Sequence, residues 1–184
     1  MKHGSTLGRP AASSKLLTKE TILNVALPIV QEGGVKALSF RLLAKQLGVT
    51  AMAVTYHCGN KKQLIGDLVE IAFAGIMDNL AKGEGAENIR AILVPYCERA
   101  LQNANLLRAV LDDSSLMSSD LQAITTALTR DLRGLVDDEQ TALNVLVDYT
   151  HGFVLSATVG DESSLTIKEY VKGLDWILKS HISN

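Results

Sequence analysis

The sequence predicts an all-α protein, and three observations favour that class. Aromatic residues make up only 4% of the 184-residue chain, whereas strand-rich domains depend on aromatic and β-branched residues. Apolar residues recur at helical spacing through most of its length. Glycines and capping residues divide this pattern into separate segments. We therefore expect an N-terminal domain of three helices, which contains a helix-turn-helix, followed by a larger C-terminal helical domain.

The first predicted helix begins after Thr18, a plausible N-cap, and ends at Gly33-Gly34. Two short helical segments then follow between Ser39 and His57, and Gly48-Val49-Thr50 separates them. A helix, a short turn with glycine and a second helix form a helix-turn-helix, which can place its second helix in the major groove of DNA. An ordinary helical hairpin within a bundle has the same spacing, so this pattern alone leaves both interpretations open.

Charge is distributed unevenly along the chain. Residues 1–66 hold nine lysines and arginines against two acidic residues, a net charge of +7. The remainder holds nine basic and eighteen acidic residues, a net charge of −9. Two parts of opposite net charge indicate that the first third of the chain faces a polyanion, and a chance division of the charges is the alternative. Double-stranded DNA is therefore the expected partner of the helix-turn-helix.

A set of spaced residues extends across these three helices and the start of a fourth. Its members are Ala26, Gly33, Leu38, Arg41, Ala44, Leu47-Gly48-Val49-Thr50, Val54, His57, Asn60-Lys61-Lys62 and Leu64. Through them residues 18–66, about a quarter of the chain, resemble the DNA-binding domain of the TetR (tetracycline repressor) family of bacterial regulators. The family usually has tyrosine where this chain has Thr55, and a bulky apolar residue where it has Cys58.

The resemblance implies a homodimeric transcriptional regulator, a repressor that a small-molecule ligand releases from a near-palindromic operator. We expect the start of the second helix of the motif to meet base edges through Thr50, Ala51 and Met52. The other candidates for DNA contact are Ser39, Arg41, Thr55, Tyr56, His57 and Lys61. Lys61 and Lys62 lie in the first turn of the next helix, where cations oppose the helix dipole. A bound phosphate would offset that cost, and the alternative is a pair of solvated lysines.

Three regions follow from this division of the chain. Residues 1–17 are small, polar and weakly basic and are predicted to form a disordered arm. Residues 18–66 form the DNA-binding domain, and residues 67–184 form the ligand-binding and dimerisation domain. The helix that begins after Asn60 is expected to run towards Leu80. Further helices are predicted over residues 87–103, 105–111, 119–135 and 138–159, and from a capping box at Thr166 and Glu169.

The helix over residues 138–159 is apolar nearly all round, so it is expected to be buried on every side. Small residues recur along it at intervals of four, which would let another helix approach closely. We expect this helix and the last one to pack against a second copy of the chain across a two-fold axis. Ordinary core helices of a monomer are the alternative. The residues expected at the interface are Gly152, Ser156, Gly160, Tyr170, Leu174 and Ile177.

A ligand cavity is expected in the C-terminal domain, because small-molecule sites are mostly apolar and carry a few polar groups. His151 is a candidate anchor for a ligand, and a hydrogen-bonded core histidine is the alternative. The residues expected to line the cavity are Tyr96, Cys97, Met117, Thr125, Tyr149 and His151.

Enzymatic function is disfavoured, because no phosphate-binding, nucleophile-elbow or zinc-protease motif occurs in the sequence. We expect no cofactor and no metal, since the four histidines are far apart and the two cysteines form no C-x-x-C pair. The sequence has no apolar run that is long enough to span a membrane and no secretory leader at residues 1–15. A cytoplasmic protein is therefore expected. The main rival to a repressor is a ligand-binding or scaffold protein with the same fold, in which Thr55 and Cys58 have weakened sequence-specific DNA binding.

Overall fold

The computed structural model describes residues 17–78, 84–159 and 165–182, and the regular structure in these residues is helical. The prediction of an all-α protein is confirmed. A 3₁₀ turn, Ser114–Leu116, lies between α6 and α7. The α-helices are α1 (Lys19–Ala37), α2 (Phe40–Leu47), α3 (Ala51–Cys58), α4 (Lys61–Phe73), α5 (Gly85–Gln102), α6 (Ala104–Asp112), α7 (Ser119–Leu132), α8 (Glu139–Ala157) and α9 (Ile167–His181). Nearly all of the predicted disordered arm, residues 1–16, lies outside the described residues.

Local capping forms the predicted helix-turn-helix from α2 and α3. The Ser39 hydroxyl accepts a hydrogen bond from the Leu42 N–H at the start of α2, and the Thr50 hydroxyl accepts one from the Ala53 N–H at the start of α3. Gly48 ends α2 in the left-handed conformation, with φ of 67° and ψ of 31°, which a residue with a Cβ adopts only at a cost. These caps fix where each short helix begins and where the chain turns between them.

The helix α1 continues three residues beyond its predicted end at Gly33-Gly34. Gly34 nevertheless has non-helical backbone angles, so regular helical geometry is interrupted there. The Asn105 side chain on α6 donates hydrogen bonds to the Val30 and Gln31 carbonyl oxygens, which lie in the turn before the interruption. These bonds satisfy carbonyl groups near the end of the regular part of α1 and join it to α6.

The helix α4 lies between the first three helices and the rest of the chain. It packs against α1 and α3 and also against α5, α6 and α7. Its fully buried residues include Leu64, Leu68, Val69 and Phe73. In the second half of the chain, α5 contacts α7, α8 and α9. One continuous apolar core therefore connects the helix-turn-helix to the C-terminal helices.

The prediction that the fourth helix extends towards Leu80 is wrong. Helix α4 ends at Phe73, and Gly75 has a φ of 73°, which departs from helical geometry. The Gly75 N–H donates to the Asp120 carboxylate at the start of α7, and Arg99 on α5 donates to the Ala72 carbonyl oxygen at 2.9 Å. Tertiary partners thus satisfy the end of α4. Residues 79–83, which include Leu80, lie outside the described residues.

Two expectations about the last helices also need correction. Thr166 makes no side-chain capping bond, and Glu169 instead accepts a hydrogen bond from Lys172, so the predicted capping box is absent. Helix α8 is not buried on every side in one chain. Leu146, Thr150 and Val154 face the core, whereas Val145, Gly152 and Ser156 are exposed on another face. An apolar helix therefore presents one open face to the surroundings.

Candidate DNA-binding surface and ligand cavity

Helix α3 is anchored by its inner face and exposes large side chains on its outer face. Val54 and Cys58 are buried against the neighbouring helices. Met52 is 82% exposed and Tyr56 is 85% exposed, although both are large and mainly apolar. Folding of the single chain does not explain why such side chains point into solvent, because burial would stabilise them. The outer face of α3 is therefore shaped for contact with another molecule.

The predicted DNA-contact residues lie on or beside α2, α3 and the start of α4, and α3 contacts both of the other helices. Arg41 and Lys61 are exposed. His57 is half-buried and contacts the Tyr56 ring edge-on, with centroids 5.3 Å apart. The Thr55 hydroxyl donates to the Ala51 carbonyl oxygen at 3.0 Å, so its oxygen keeps only its acceptor function for an outside donor.

Ser39 and Thr50 use their side chains as helix caps, as described above. Ala51, at the first position of α3, is partly exposed beside Met52. The Ser39 cap fixes the start of α2 and the Thr50 cap fixes the start of α3, where the expected base contacts lie.

Lys62 is held by an anion within the chain. Its ammonium group lies 2.8 Å from the Asp113 carboxylate, in the loop after α6. Hydrogen bonds from Lys62 and Ser115 lower the pKa of Asp113 to about 2. Lys61 has no such ion pair among the described residues. The sequence-based argument that both lysines await a phosphate is therefore corrected, and only Lys61 supports it.

A cavity of about 220 Å³ lies between α5, α6, α7 and α8. Four of the predicted ligand-binding residues line it, namely Tyr96, Met117, Thr125 and His151. The other lining residues are mostly apolar: Leu93, Leu107, Val110, Leu111, Ser114, Leu121, Ile124, Leu128 and Val147.

Tyr96 and His151, which are hydrogen-bonded to each other, are the main polar side chains of the cavity wall. The Tyr96 hydroxyl and His151 Nε2 are 2.7 Å apart. Burial raises the pKa of Tyr96 and lowers the pKa of His151, so both side chains are neutral at pH 7. The pair therefore offers hydrogen bonding to a ligand without a charge.

Cys97 and Tyr149 do not line this cavity, and their prediction as lining residues is wrong. Cys97 is fully buried, and burial raises the pKa of its thiol to about 12. Tyr149 turns towards α9, stacks on Tyr170 at a centroid distance of 5.3 Å and donates to the Tyr170 carbonyl oxygen. Their positions on α5 and α8 turn both side chains away from the cavity.

Three of the residues expected at a dimer interface belong to the core of a single chain. Tyr170 and Leu174 are fully buried, and Ile177 is nearly so. The Tyr170 hydroxyl lies 2.8 Å from the Thr150 hydroxyl of α8, so this face of α9 packs within the chain. Gly152 and Ser156 are exposed, and Gly160 lies outside the described residues. The interface prediction is therefore corrected for these three α9 residues.

Within residues 17–78, 84–159 and 165–182, no group of three or more histidine, cysteine, aspartate or glutamate side chains is placed to hold a metal ion. In the same ranges, no helix combines the length and the apolar character that crossing a membrane requires.

Solved structures with similar folds identify the architecture. A possible TetR-family transcriptional regulator from Streptomyces coelicolor matches with a TM-score of 0.71 over 88% of this chain and 97% of its own, at 19% identity. BioQ of Mycobacterium smegmatis has a TM-score of 0.71 over 89% of this chain and 97% of its own, at 24% identity. A TetR variant from Acinetobacter baumannii, in complex with minocycline, has a TM-score of 0.68 over 89% and 95%, at 23% identity.

The chain has the TetR-family fold. No protein-family model and no curated protein matches the sequence. The similarity to the solved structures covers both the helix-turn-helix and the C-terminal helices, whereas the resemblance seen in the sequence covers only residues 18–66.

Sequence reasoning missed several residues that the TetR-family fold places at these sites. Leu111 and Ser114 line the cavity, and the adjacent Asp113 holds Lys62. Val145 on α8 and Trp176 on α9 are exposed and line a separate apolar groove of about 340 Å³. The sequence does contain one signal for this exposed surface, because Trp176 lies off the apolar stripe of its helix.

Proposed function

We propose that this chain is a homodimeric, DNA-binding transcriptional regulator of the cytoplasm, a repressor that a small-molecule ligand releases from a near-palindromic operator. Residues 18–66 are its DNA-binding domain, and residues 67–184 bind the ligand and form the dimer. The observation that carries the proposal is the outer face of α3, where Met52 and Tyr56 are exposed on a helix capped at both ends.

The start of α3 reads bases in this proposal, through Thr50, Ala51 and Met52. Short side chains let the helix backbone approach the major groove, and Met52 supplies apolar contact of the kind that recognises a thymine methyl group. The surrounding residues hold phosphates and set the orientation of the helix without reading sequence. They are Ser39, Arg41, Thr55, Tyr56, His57 and Lys61.

A dimer is proposed on the exposed faces of α8 and α9 rather than on the buried stripe of α9. Gly152 and Ser156 form a strip of small side chains on α8, and a Cβ added at Gly152 would meet no atom within 4 Å. Val145, 46% exposed, and Trp176, 64% exposed, flank this region with apolar surface. A second copy related by a two-fold axis would cover both of these side chains, since the interface of such a dimer is self-complementary.

In this proposal, contacts within one chain connect the ligand cavity to the recognition helix α3. Leu111 and Ser114 form part of the cavity wall, and Asp113 lies between them in sequence. Asp113 pairs with Lys62 in the first turn of α4, which directly follows the recognition helix α3. A ligand that moves this part of the wall changes the position of α4. Binding then favours a dimer in which the two recognition helices have a different spacing.

Two of the similar solved structures support these assignments. BioQ is known in complex with its double-stranded DNA operator, and that structure has a TM-score of 0.69 at 25% identity over 89% of this chain and 96% of its own. The TetR variant contains minocycline, a small-molecule ligand. The TetR-family fold thus accommodates DNA and small-molecule ligands in other proteins.

A footprinting experiment tests the proposed function. The full chain is incubated with DNA from the region upstream of its own gene, and the protected bases are mapped. We expect two protected half-sites whose centres are about 34–36 Å apart, one helical turn, because two α3 helices of a dimer read adjacent turns. Protection of a single half-site by a monomer, or no protection at any position, would contradict the proposal.

A further inference from the structure

We propose that the cavity between α5, α6, α7 and α8 binds a small, neutral, mainly apolar molecule that carries one hydroxyl group, of the alkylphenol type. The inference rests on the proposed function only where it treats this molecule as the effector. Binding itself depends on the cavity alone.

The cavity wall favours a ligand without charge. No aspartate, glutamate, lysine or arginine is among its described lining residues. The Thr125 hydroxyl already donates to the Leu121 carbonyl oxygen within α7. The cavity opens to solvent beside Leu111, Ser114 and Thr125, and Tyr96 and His151 lie at its inner side. A charged group placed at the Tyr96–His151 pair would lose its hydration without gaining a partner of opposite charge, which costs far more than the burial of a neutral group.

The Tyr96–His151 pair favours a hydroxyl on the ligand. If the Tyr96 O–H donates to His151 Nε2, the phenolic oxygen is left as an acceptor for the ligand. If Nε2–H donates to the Tyr96 oxygen, the Tyr96 O–H is left as a donor. A hydroxyl group both donates and accepts, so it is satisfied by either arrangement of protons, whereas a ketone is satisfied by only one.

The size of the cavity limits the ligand to a single ring with a short substituent. An engineered cavity of about 150 Å³ with apolar walls binds benzene, which has six heavy atoms. In proportion, the 220 Å³ of this cavity holds about nine heavy atoms. 4-Ethylphenol has about that size, and its hydroxyl group lies at one end, where it can reach the Tyr96–His151 pair while the ethyl group contacts the apolar wall.

Calorimetry with three probes of nearly equal size tests the proposal on the full chain at pH 7.5. We expect 4-ethylphenol to bind about tenfold more tightly than 4-ethyltoluene, because it gains a hydrogen bond that a methyl group lacks. We expect no measurable binding of benzoate, which has as many heavy atoms as 4-ethylphenol but is charged at this pH. Equal affinity for 4-ethylphenol and 4-ethyltoluene, binding of benzoate that is tighter than that of 4-ethylphenol, or no binding of 4-ethylphenol would overturn the proposal.

Two variants test whether the Tyr96–His151 pair causes the preference for 4-ethylphenol over 4-ethyltoluene. The double variant Tyr96→Phe with His151→Leu should bind 4-ethylphenol and 4-ethyltoluene with affinities within about threefold of each other. The control Tyr149→Phe removes a hydroxyl that bonds to Tyr170 outside the cavity and should keep the tenfold preference. A preference that survives in the double variant would overturn the assignment. The three-probe comparison needs no variant, so it stands even if the double variant fails to fold.

Failure of this inference is distinguishable from failure of the proposed function, because the calorimetry contains no DNA. A protein that binds operator but not 4-ethylphenol contradicts only the ligand assignment. A protein that binds 4-ethylphenol but keeps its operator contradicts only the role of this ligand as effector.

Discussion

Two adjacent lysines at the start of α4 have different surroundings, and the difference decides what each can do. Lys62 is paired with Asp113, whereas Lys61 is exposed without an ion pair among the described residues. A cation in the first turn of a helix is unfavourable unless an anion is near. Asp113 is that anion for Lys62. A DNA phosphate is the proposed anion for Lys61.

Replacement of Lys61 by alanine should weaken binding to all DNA sequences and reduce the salt dependence. One phosphate contact releases about one counterion, so the slope of log K against log salt should become shallower by about one. Titrations of operator DNA at four salt concentrations measure this slope. The control Lys172→Ala, which removes an exposed lysine of α9 that pairs with Glu169, should leave it unchanged. An unaltered slope in the Lys61 variant would remove Lys61 from the phosphate contacts.

Protonation of His151 should destabilise the protein in mildly acidic solution. Burial holds the pKa of folded His151 below its ordinary value of 6.5, so the unfolded chain binds a proton more readily than the folded chain. This contribution to stability is complete above pH 6.5 and is lost as pH falls through the lower, folded pKa. Thermal melts from pH 7.5 to 5.5 should show a steeper fall in Tm for the wild type than for His151→Leu. Parallel slopes would contradict this assignment.

At the residue scale, the caps and bounds of the helix-turn-helix were predictable because capping residues and apolar spacing over about twenty residues fix them locally. The cavity lining was predictable only in part. Tyr96 and Cys97 are neighbours in sequence, yet only Tyr96 faces the cavity, since the direction of each side chain depends on how α5 packs against five other helices. No local pattern contains that information.

One close contact between α8 and α9 depends on a glycine. Tyr149 of α8 reaches across Gly173 of α9 to donate to the Tyr170 carbonyl oxygen at 2.9 Å. A Cβ added at Gly173 would overlap the Tyr149 hydroxyl and lie 2.7 Å from its Cζ atom. Gly173 therefore permits a close approach that no larger residue allows.

Substitution of Gly173 by alanine should lower the free energy of unfolding by about 1–3 kcal/mol, as overpacking of a close contact does. Chemical denaturation measures the change. The control Gly66→Ala adds a Cβ to the interior of α4, where the nearest atom is 3.9 Å away, and should be neutral or stabilising. If both variants were equally stable, the close contact would not contribute as described.

The ends of the helices show where sequence patterns stop being informative. Caps at Ser39, Thr50 and Asn60 act within four residues, and all three were predictable. The end of α4 at Phe73 depends on Arg99 and Asp120 from other helices, so the apolar pattern continues beyond the true end. Tertiary hydrogen bonds override helical periodicity there.

At the scale of the whole molecule, the exposed face of α8 and α9 carries two large apolar side chains, Val145 and Trp176, that the core of a single chain does not cover. Apolar composition predicted that α8 needs partners, and the structure places only part of them within the chain. The sequence could not separate the buried face of α8 and α9 from the face proposed for a second copy, since burial depends on how the two helices pack. Burial of Tyr170 and Leu174 separates them.

A charge placed on that face should convert the proposed dimer into a folded monomer. Val145→Asp introduces a carboxylate on the exposed face of α8, and burial of an unpaired charge at an interface costs several kcal/mol. Light scattering at micromolar concentration should give the mass of one chain for this variant and of two chains for the wild type. The control Thr126→Asp, on the exposed face of α7, should remain dimeric. A monomeric wild type would contradict the dimer.

The central claim is that the exposed start of α3 reads a DNA sequence, and a specificity ratio measures it most directly. Fluorescence anisotropy compares the affinity of the full chain for its operator and for unrelated duplex DNA at the same salt concentration. We predict a ratio of at least about 10³ for the wild type, and a changed ranking of single-base operator variants for Met52→Ala. Equal affinity for both DNAs, together with an unchanged ranking, would contradict the account and favour a ligand-binding protein with the same fold.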